Sequence, residues 1–438
     1  MGGIGGALTV AVSLAAAVGA DEAVARRAAI DRFVGGFAEL AMFDGTVLVD
    51  VGGEIVYERS FGYASYEHEI RHDRQTRFRV ASVSKSLTDA AFALLVARGE
   101  LSLDSPLSRY LSDFPSADRI RISQLLDHSA GIPHTNRQPW GDGRTSLGLD
   151  EIVDRLAALP LDFEPGTDSS YSNGGYAVAA KVLEIVGGDS YDEVMRRLVF
   201  EPLDMKDSGH LADARAPIPR IATGYEPGAF PAERRHSRFY AVETRPGGGS
   251  LYSTARDLLA FTRAVFRRDF VAPELRRSIL GADDDGFLSQ GRSPGFVAKL
   301  LFEPERDVIV VSLSNNYAVP AGWAAAIADL ATGRSDAVTW PELRPIDPRV
   351  PAVDPRVGRY RASFGDRETV IERGERGAML IRDTENELVT GLVPLEGGRF
   401  LLPIYFQLCE QDGDTRVITC RMLSGDERYT NVLTPVAE

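Results

Sequence analysis

The sequence predicts an α+β fold. Two β-rich runs in GTVLVDVGGEIVYERSFGYAS flank Gly52-Gly53 and read as a hairpin. A second hairpin lies far along the chain in GFVAKLLFEPERDVIVVSLSNN, with its turn over Glu303 to Arg306. Between them runs a series of helices, the first opening at Ser82 in SVSKSLTDAAFALLVARGEL. Strands at both ends of a helical middle imply one sheet built from distant segments.

Taken in order, residues 1–20 (MGGIGGALTVAVSLAAAVGA) are apolar and end in small residues. Val18-Gly19-Ala20 ahead of Asp21 resembles a signal-peptidase site, although a basic n-region is missing. The segment reads as a secretion signal, which places the protein in the periplasm or outside the cell. The other reading is a membrane anchor, for which Ala and Gly make a poor spanning helix. Glu22 to Leu40 has the spacing of an amphipathic helix. Residues 63–81 read as irregular. The helix from Ser82 has a dense apolar middle and Gly99 past its end, so it belongs in the core. Further helices reach about residue 200, broken by LLDHSAGIPH and FEPGTDSSYSNGGY, and another covers roughly Ser253 to Phe266.

Residues 341–355 carry five prolines and read as a semi-rigid linker. Beyond them GRYRASF, ETVIERG, AMLIRD, RFLLPIYFQL and TRVITCRM read as short strands of a small β-barrel or sandwich. Cys409 and Cys420 flank a turn over residues 411–414. A hairpin centred there sets Cys409 opposite about position 416. An exported protein could pair the two cysteines, but a bridge within one simple hairpin is not expected, and two separate half-buried thiols are at least as good a reading.

The 438 residues are 44% hydrophobic and carry a formal charge of −14. Such a chain can bury a large core, in two domains. The acidic balance excludes the basic stripe that nucleic-acid binding needs. Beyond residue 20 no stretch is long and apolar enough to span a bilayer. The expected partner is a small-molecule or peptide substrate, with membrane contact only if the N-terminal segment is an anchor.

The chemistry centres on Ser82-Val83-Ser84-Lys85. Residues i and i+3 of a helix share a face, so hydroxyl and amine can touch. A serine at a helix N-terminus gains from the dipole once an oxyanion forms. The amine can take the hydroxyl proton if burial or a nearby cation lowers its pKa from about 10.4. Only four lysines exist (Lys85, Lys181, Lys206 and Lys299), and Lys85 alone has a serine three residues before it. Tyr171-Ser172-Asn173 follows a Pro-Gly turn and precedes a helix. A phenol there can shuttle a proton, and Asn173 can bond Lys85 or a substrate amide.

With these motifs in view, the chain resembles the serine β-lactamase-related family. That family includes class C β-lactamases, DD-peptidases, D-aminopeptidases and family VIII carboxylesterases. The matching stretches include FRVASVSKSLTDAAFALLVARGELSLDSPLSRYL, ISQLLDHSAGIPH, FEPGTDSSYSNGGYAVAAKVLEIVGG, LVFEPLDMKDSGH, GGGSLYSTARDLLAF and SPGF, in family order over roughly residues 40–320. The resemblance implies a β-lactamase/transpeptidase-like catalytic domain over 21–340, a linker over 341–355 and a lipocalin-like domain over 356–438. It implies Ser82 as nucleophile, Lys85 as base, Tyr171 as acid/base partner and Asn173 as the second motif's amide, with no cofactor and no metal.

The third motif departs from the family. A Lys-Thr-Gly or His-x-Gly is expected ahead of Pro294-Gly295-Phe296, and Ser289-Gln290-Gly291 stands there. Gly291 keeps the close backbone approach, and the Arg292 N–H is expected to form an oxyanion hole with that of Ser82. Ser289 brings no cation, and the Arg292 side chain points either into the cleft or to solvent. A substrate without the carboxylate of penicillins is therefore favoured: an ester, peptide or amide. A true β-lactamase or DD-carboxypeptidase, a non-catalytic ligand-binding relative, and an acyl transferase or peptide cyclase are the alternatives. His68-Glu69-Ile70-Arg71-His72 matches the zinc-protease signature, but no apolar helical stripe surrounds it. The glycines 247–249 are read as allowing tight packing beside the cleft.

Overall fold

The computed structural model describes residues 5–334, apart from 142–143, 214, 228–233, 284–285, 317–318 and 320–321. Beyond these it describes 357–363, 368–374, 379–383, 388–395, 399–402, 407–412, 415–422 and 430–436. The proline-rich stretch 341–355 lies outside the described residues.

The first helix, α1, spans Gly5–Glu39, so its backbone passes through the junction after Ala20. Strands β1 (Gly45–Val51) and β2 (Glu54–Phe61) follow. Gly52 and Gly53 both take left-handed φ (60° and 92°) at the turn between them. Three short strands (Tyr63–Ser65, Ile70–Arg71 and Phe78–Arg79) occupy the stretch read as irregular. Helix α2 is Val83–Ala97, α3 is Asn173–Gly187 and α4 is Ala255–Arg267. Thr254 caps α4 by accepting from the Asp257 N–H. Strands β3 (Phe287–Ser293), β4 (Phe296–Glu303) and β5 (Val308–Ser314) come next, and α5 (Trp323–Thr332) follows them.

The central sheet has the order β3-β4-β5-β1-β2 and is antiparallel throughout. Gly45 pairs with Ser314 and Val51 with Val308, so the two predicted hairpins meet in one sheet. Period-two alternation gives the sheet two apolar faces. Leu48, Ala298, Leu300, Ile309 and Val311 face the core that contains α2, α3 and α4. Val47, Val49, Val297, Leu301 and Val310 face α1 and α5. On that second face Trp323 packs against Phe33, Phe37 and Phe43 at centroid distances of 4.7–5.2 Å, and its indole N–H donates to Ser312 Oγ. Asp50, fully buried, accepts from Arg263 and Arg267 of α4. The pairing removes the cost of an isolated buried carboxylate and pins α4 to the sheet.

Among the described residues the C-terminal strands form a nine-stranded antiparallel sheet. Its two outermost members, Leu388–Gly391 and Val393–Pro394, are separated by one residue. The sheet therefore curls into a nearly closed barrel around Tyr360, Ile371, Phe400, Cys409, Ile418, Cys420 and Leu433. Val393, Leu395 and Leu401 join the apolar face beneath α1 and α5. RFLLPIYFQL, read as one strand, is two: Arg399–Leu402 and Gln407–Gln411.

The cysteine expectation is corrected. Cys409 and Cys420 are directly opposite in paired strands and form a disulfide. The strands end at Gln411 and resume at Ile418, so the loop is longer than the assumed turn and its centre lies later in the chain.

Candidate active site

The nucleophile position begins with backbone. Val80 donates to the Leu251 carbonyl and Val83 turns back onto Val80, which fixes the entry to α2. Ala81, immediately before Ser82, has φ 46°, a conformation L residues avoid unless their surroundings impose it. Ser82 is therefore presented half-buried at the start of α2. A Cβ on Gly291 would sit 2.1 Å from the Val80 carbonyl and 2.8 Å from Ser82 N. Only glycine lets β3 approach the helix entry this closely.

Ser82 Oγ lies 2.7 Å from Tyr171 Oη and 3.4 Å from Lys85 Nζ. Lys85 Nζ donates to Asn173 Oδ1 and to the Gly248 carbonyl, both at 2.7 Å. It also lies 4.7 Å from the Tyr171 ring centre and 5.0 Å from that of Tyr176. The first and second sequence motifs thus meet at one point. Ser172 caps α3 by accepting from Gly175 N, which sets Tyr171 just outside the helix and Asn173 just inside it.

Burial is the main cause that brings Lys85 down to about 7. Arg245 pushes the same way, and Asp89 opposes both. Burial also raises Asp89, one turn further along α2, well above the usual carboxylate range. Its Oδ1 accepts from Tyr176 Oη at 2.9 Å. Desolvation raises the Tyr171 phenol, while the Ser82 hydroxyl and Arg245 oppose the rise. Tyr171 remains 45% exposed, so solvent screens part of this effect. His128 and His134 pack on Tyr171 at 4.7 and 5.5 Å. Burial and the neighbouring Lys85 lower both to about 4, so they are neutral near pH 7. Their Nδ1 atoms accept from the backbone N–H of Ser172 and Asn173, which fixes the second motif.

The third motif is only partly gathered in. Ser289 is buried and shares a 2.7 Å hydrogen bond with Ser86 Oγ, a strand-to-helix tie one residue beyond Lys85. Arg292 is on the opposite face of β3 from Ser289 and Gly291. Its guanidinium donates to the Val319 carbonyl at 2.9 Å, so its charge is aimed away from the nucleophile. Of the two orientations open in the sequence, the cleft-facing one is excluded.

Sequence reasoning missed Asn136, Arg245 and Asp89 as parts of the site, and placed Gly248 beside the cleft without its role as an acceptor for Lys85. The glycine run offered one signal. A Cβ on Gly248 would crowd Asn173 Oδ1 and Lys85 Nζ at 3.2 Å each, and one on Gly247 would meet the Tyr176 carbonyl at 2.5 Å. The tight packing expected there is present. The zinc alternative lacks its helix: Glu69 has φ 52°, and Ile70–Arg71 is a strand. His72 is buried, stacked on Phe78 and bonded to Asn315 Oδ1, while His68 is exposed.

Residues 27–332 match the model of the family described as Beta-lactamase. The chain belongs to the beta-lactamase family. It is 30% identical over 254 residues to Penicillin-binding protein 4* of Bacillus subtilis (strain 168), covering 55% of this chain and 56% of that protein. It is 31% identical over 281 residues to Esterase EstB of Burkholderia gladioli, covering 56% of this chain and 71% of that protein. The chain thus spans only a little over half of the Bacillus relative. Among solved structures, that of SurE covers 95% of this chain and 100% of its own, with a TM-score of 0.59 and 19% identity. That likeness is one of fold.

Proposed function

We propose that the protein is a serine hydrolase that forms an acyl-enzyme on Ser82, acting on esters or on peptide and amide bonds. The observation that carries this reading is the Ser82–Tyr171–Lys85 cluster. A neutral lysine has two N–H groups and one lone pair. Asn173 Oδ1 and the Gly248 carbonyl accept the two N–H groups, which leaves the lone pair for the Ser82 hydroxyl. The 3.4 Å separation shortens when substrate presses on the site. Ser82 Oγ then attacks the carbonyl carbon while its proton passes to Lys85; Tyr171 hands a proton to the leaving alcohol or amine and regains one from the Lys85 ammonium, so that both groups are reset. Water repeats the sequence on the ester so formed.

The oxyanion hole combines the Ser82 and Arg292 N–H groups. The two-residue turn at Pro294-Gly295 makes Ser293 and Phe296 the pair that exchanges hydrogen bonds. Ladder alternation then leaves the Arg292 N–H on the free edge of β3, beside the helix entry. Because Ser289 and Arg292 bring no positive charge to the cleft, substrates without a carboxylate are favoured. A fluorophosphonate should label Ser82, and p-nitrophenyl esters or D-amino-acid amides should turn over faster than nitrocefin. A protein that neither labels nor turns over any of the three is not a hydrolase.

We also propose export, with residues 1–20 removed and residues 356–438 forming a separate lipocalin-like unit. The Cys409–Cys420 bond supports an oxidising compartment, and the barrel's own core supports the division. No described helix is long and apolar enough to cross a membrane. Mass spectrometry of protein from the medium or periplasm, before and after brief proteolysis, checks both readings. The mature chain should begin at Asp21 with the cysteines bonded and be cut first within 341–355. A retained Met1 or reduced cysteines argues against export.

A further inference from the structure

A buried arginine braces the groups that bind the Lys85 amine. Arg245 is buried, and its guanidinium lies 4.5 Å from the Tyr240 ring centre. We propose that Arg245 is a positioning residue for Lys85: it holds both acceptors of the lysine amine and sets a permanent positive charge near it. The proposal rests on the acyl-enzyme reading above.

Two arms carry it. Through its side chain, Arg245 Nε donates to Asn136 Oδ1 at 2.8 Å. The same oxygen accepts from Asn173 Nδ2 at 3.4 Å, which turns Asn173 Oδ1 toward Lys85. A further guanidinium nitrogen donates to the Gly141 carbonyl at 2.6 Å and locks the fork. Through its backbone, the Arg245 carbonyl accepts from Gly248 N at 3.1 Å and Gly249 N at 2.8 Å. That turn aims the Gly248 carbonyl at Lys85 Nζ. One residue therefore fixes both groups that orient the amine's lone pair.

The charge has its own effect. A guanidinium stays protonated at any working pH, so it disfavours a proton on Lys85. The other titratable groups facing Lys85 are Asp89 on its own helix, Tyr171 and Tyr176 from the second motif and α3, and His128 and His134 from the preceding loop. The histidines are neutral near pH 7; burial raises Asp89 well above the usual carboxylate range, and the charge it carries when ionised opposes that of Arg245. Arg245 is the permanent charge of this set.

The test measures the rate of fluorophosphonate labelling of Ser82 against pH in the full-length protein. In the wild type the rate should rise with a midpoint near 7, as Lys85 loses its proton. Arg245→Gln should move that midpoint up by about one pH unit. Labelling at pH 7 should then slow about fivefold, because the wild-type amine is already half protonated there. Arg245→Lys keeps the charge but not the fork, so it should slow labelling while leaving the midpoint near the wild-type value. An unmoved midpoint in Arg245→Gln overturns the proposal, as does a raised one in Arg245→Lys. The second outcome decides the matter alone if thermal melting shows that Arg245→Gln is unfolded. A wild type that never labels at Ser82 refutes the hydrolase reading instead, so the two failures are distinct.

Discussion

Ser82→Ala is expected to lower turnover of an activated ester by about a thousandfold or more and to abolish fluorophosphonate labelling. The expectation is specific because the hydroxyl has little structural role. Ser82 occupies the N-cap of α2 but makes no side-chain capping bond there. Among the described residues its hydroxyl hydrogen-bonds with Tyr171 and Lys85 only. Removing it leaves the turn at Ala81 and the close approach of Gly291 in place. The melting temperature should therefore stay within a few degrees of wild type while activity disappears. An alanine variant that hydrolyses the ester at the wild-type rate would show that the nucleophile lies elsewhere.

Lys85→Arg should lower the same activity by about a hundredfold to ten-thousandfold. A guanidinium keeps the charge and most of the length, but it has no lone pair to offer at working pH. Lys85→Ala should be equally inactive and also less stable. It would leave Asn173 Oδ1 and the Gly248 carbonyl without their buried donor, a cost of about 1–3 kcal/mol for each group. A small primary amine added to Lys85→Ala should restore part of the rate, and guanidine should not. Rescue by both, or undiminished activity in Lys85→Arg, would show that the lysine is a charge rather than a base.

Local spacing made part of this site legible before any fold was known. Ser82 and Lys85 share a helix face by arithmetic, and Tyr171 and Asn173 straddle a helix start marked by Ser172. Gly291 was placed by its distance from Pro294-Gly295-Phe296. Arg245 and Asn136 escaped notice because their roles arise from contacts between distant loops, with no repeating spacing to betray them. The side-chain direction of Arg292 needed a register: once Ser289 and Gly291 face inward, period two sends Arg292 outward. The two hairpins of the sheet were visible in their turns. The C-terminal strands were less so, because loop length sets register. A longer loop between Gln411 and Ile418 moved Cys420 opposite Cys409, and RFLLPIYFQL gave no sign of its division except Pro403, which cannot donate to a ladder.

The pairing of β1 with β5 also governs how the molecule comes into being. Gly45 pairs on one side with nearby Phe61, but its partner on the other side, Ser314, comes only after the long helical middle of the chain. Contacts of such separation form late and slowly, because the loop they close loses much entropy before the sheet returns any. A nascent chain therefore carries Ser82, Lys85, Tyr171 and Asn173 well before β3 exists to bring Gly291 against the helix entry. Acylating power should appear only after the last strands of the sheet have been synthesised. A newborn chain is thereby kept from reacting with acyl compounds while it is still folding.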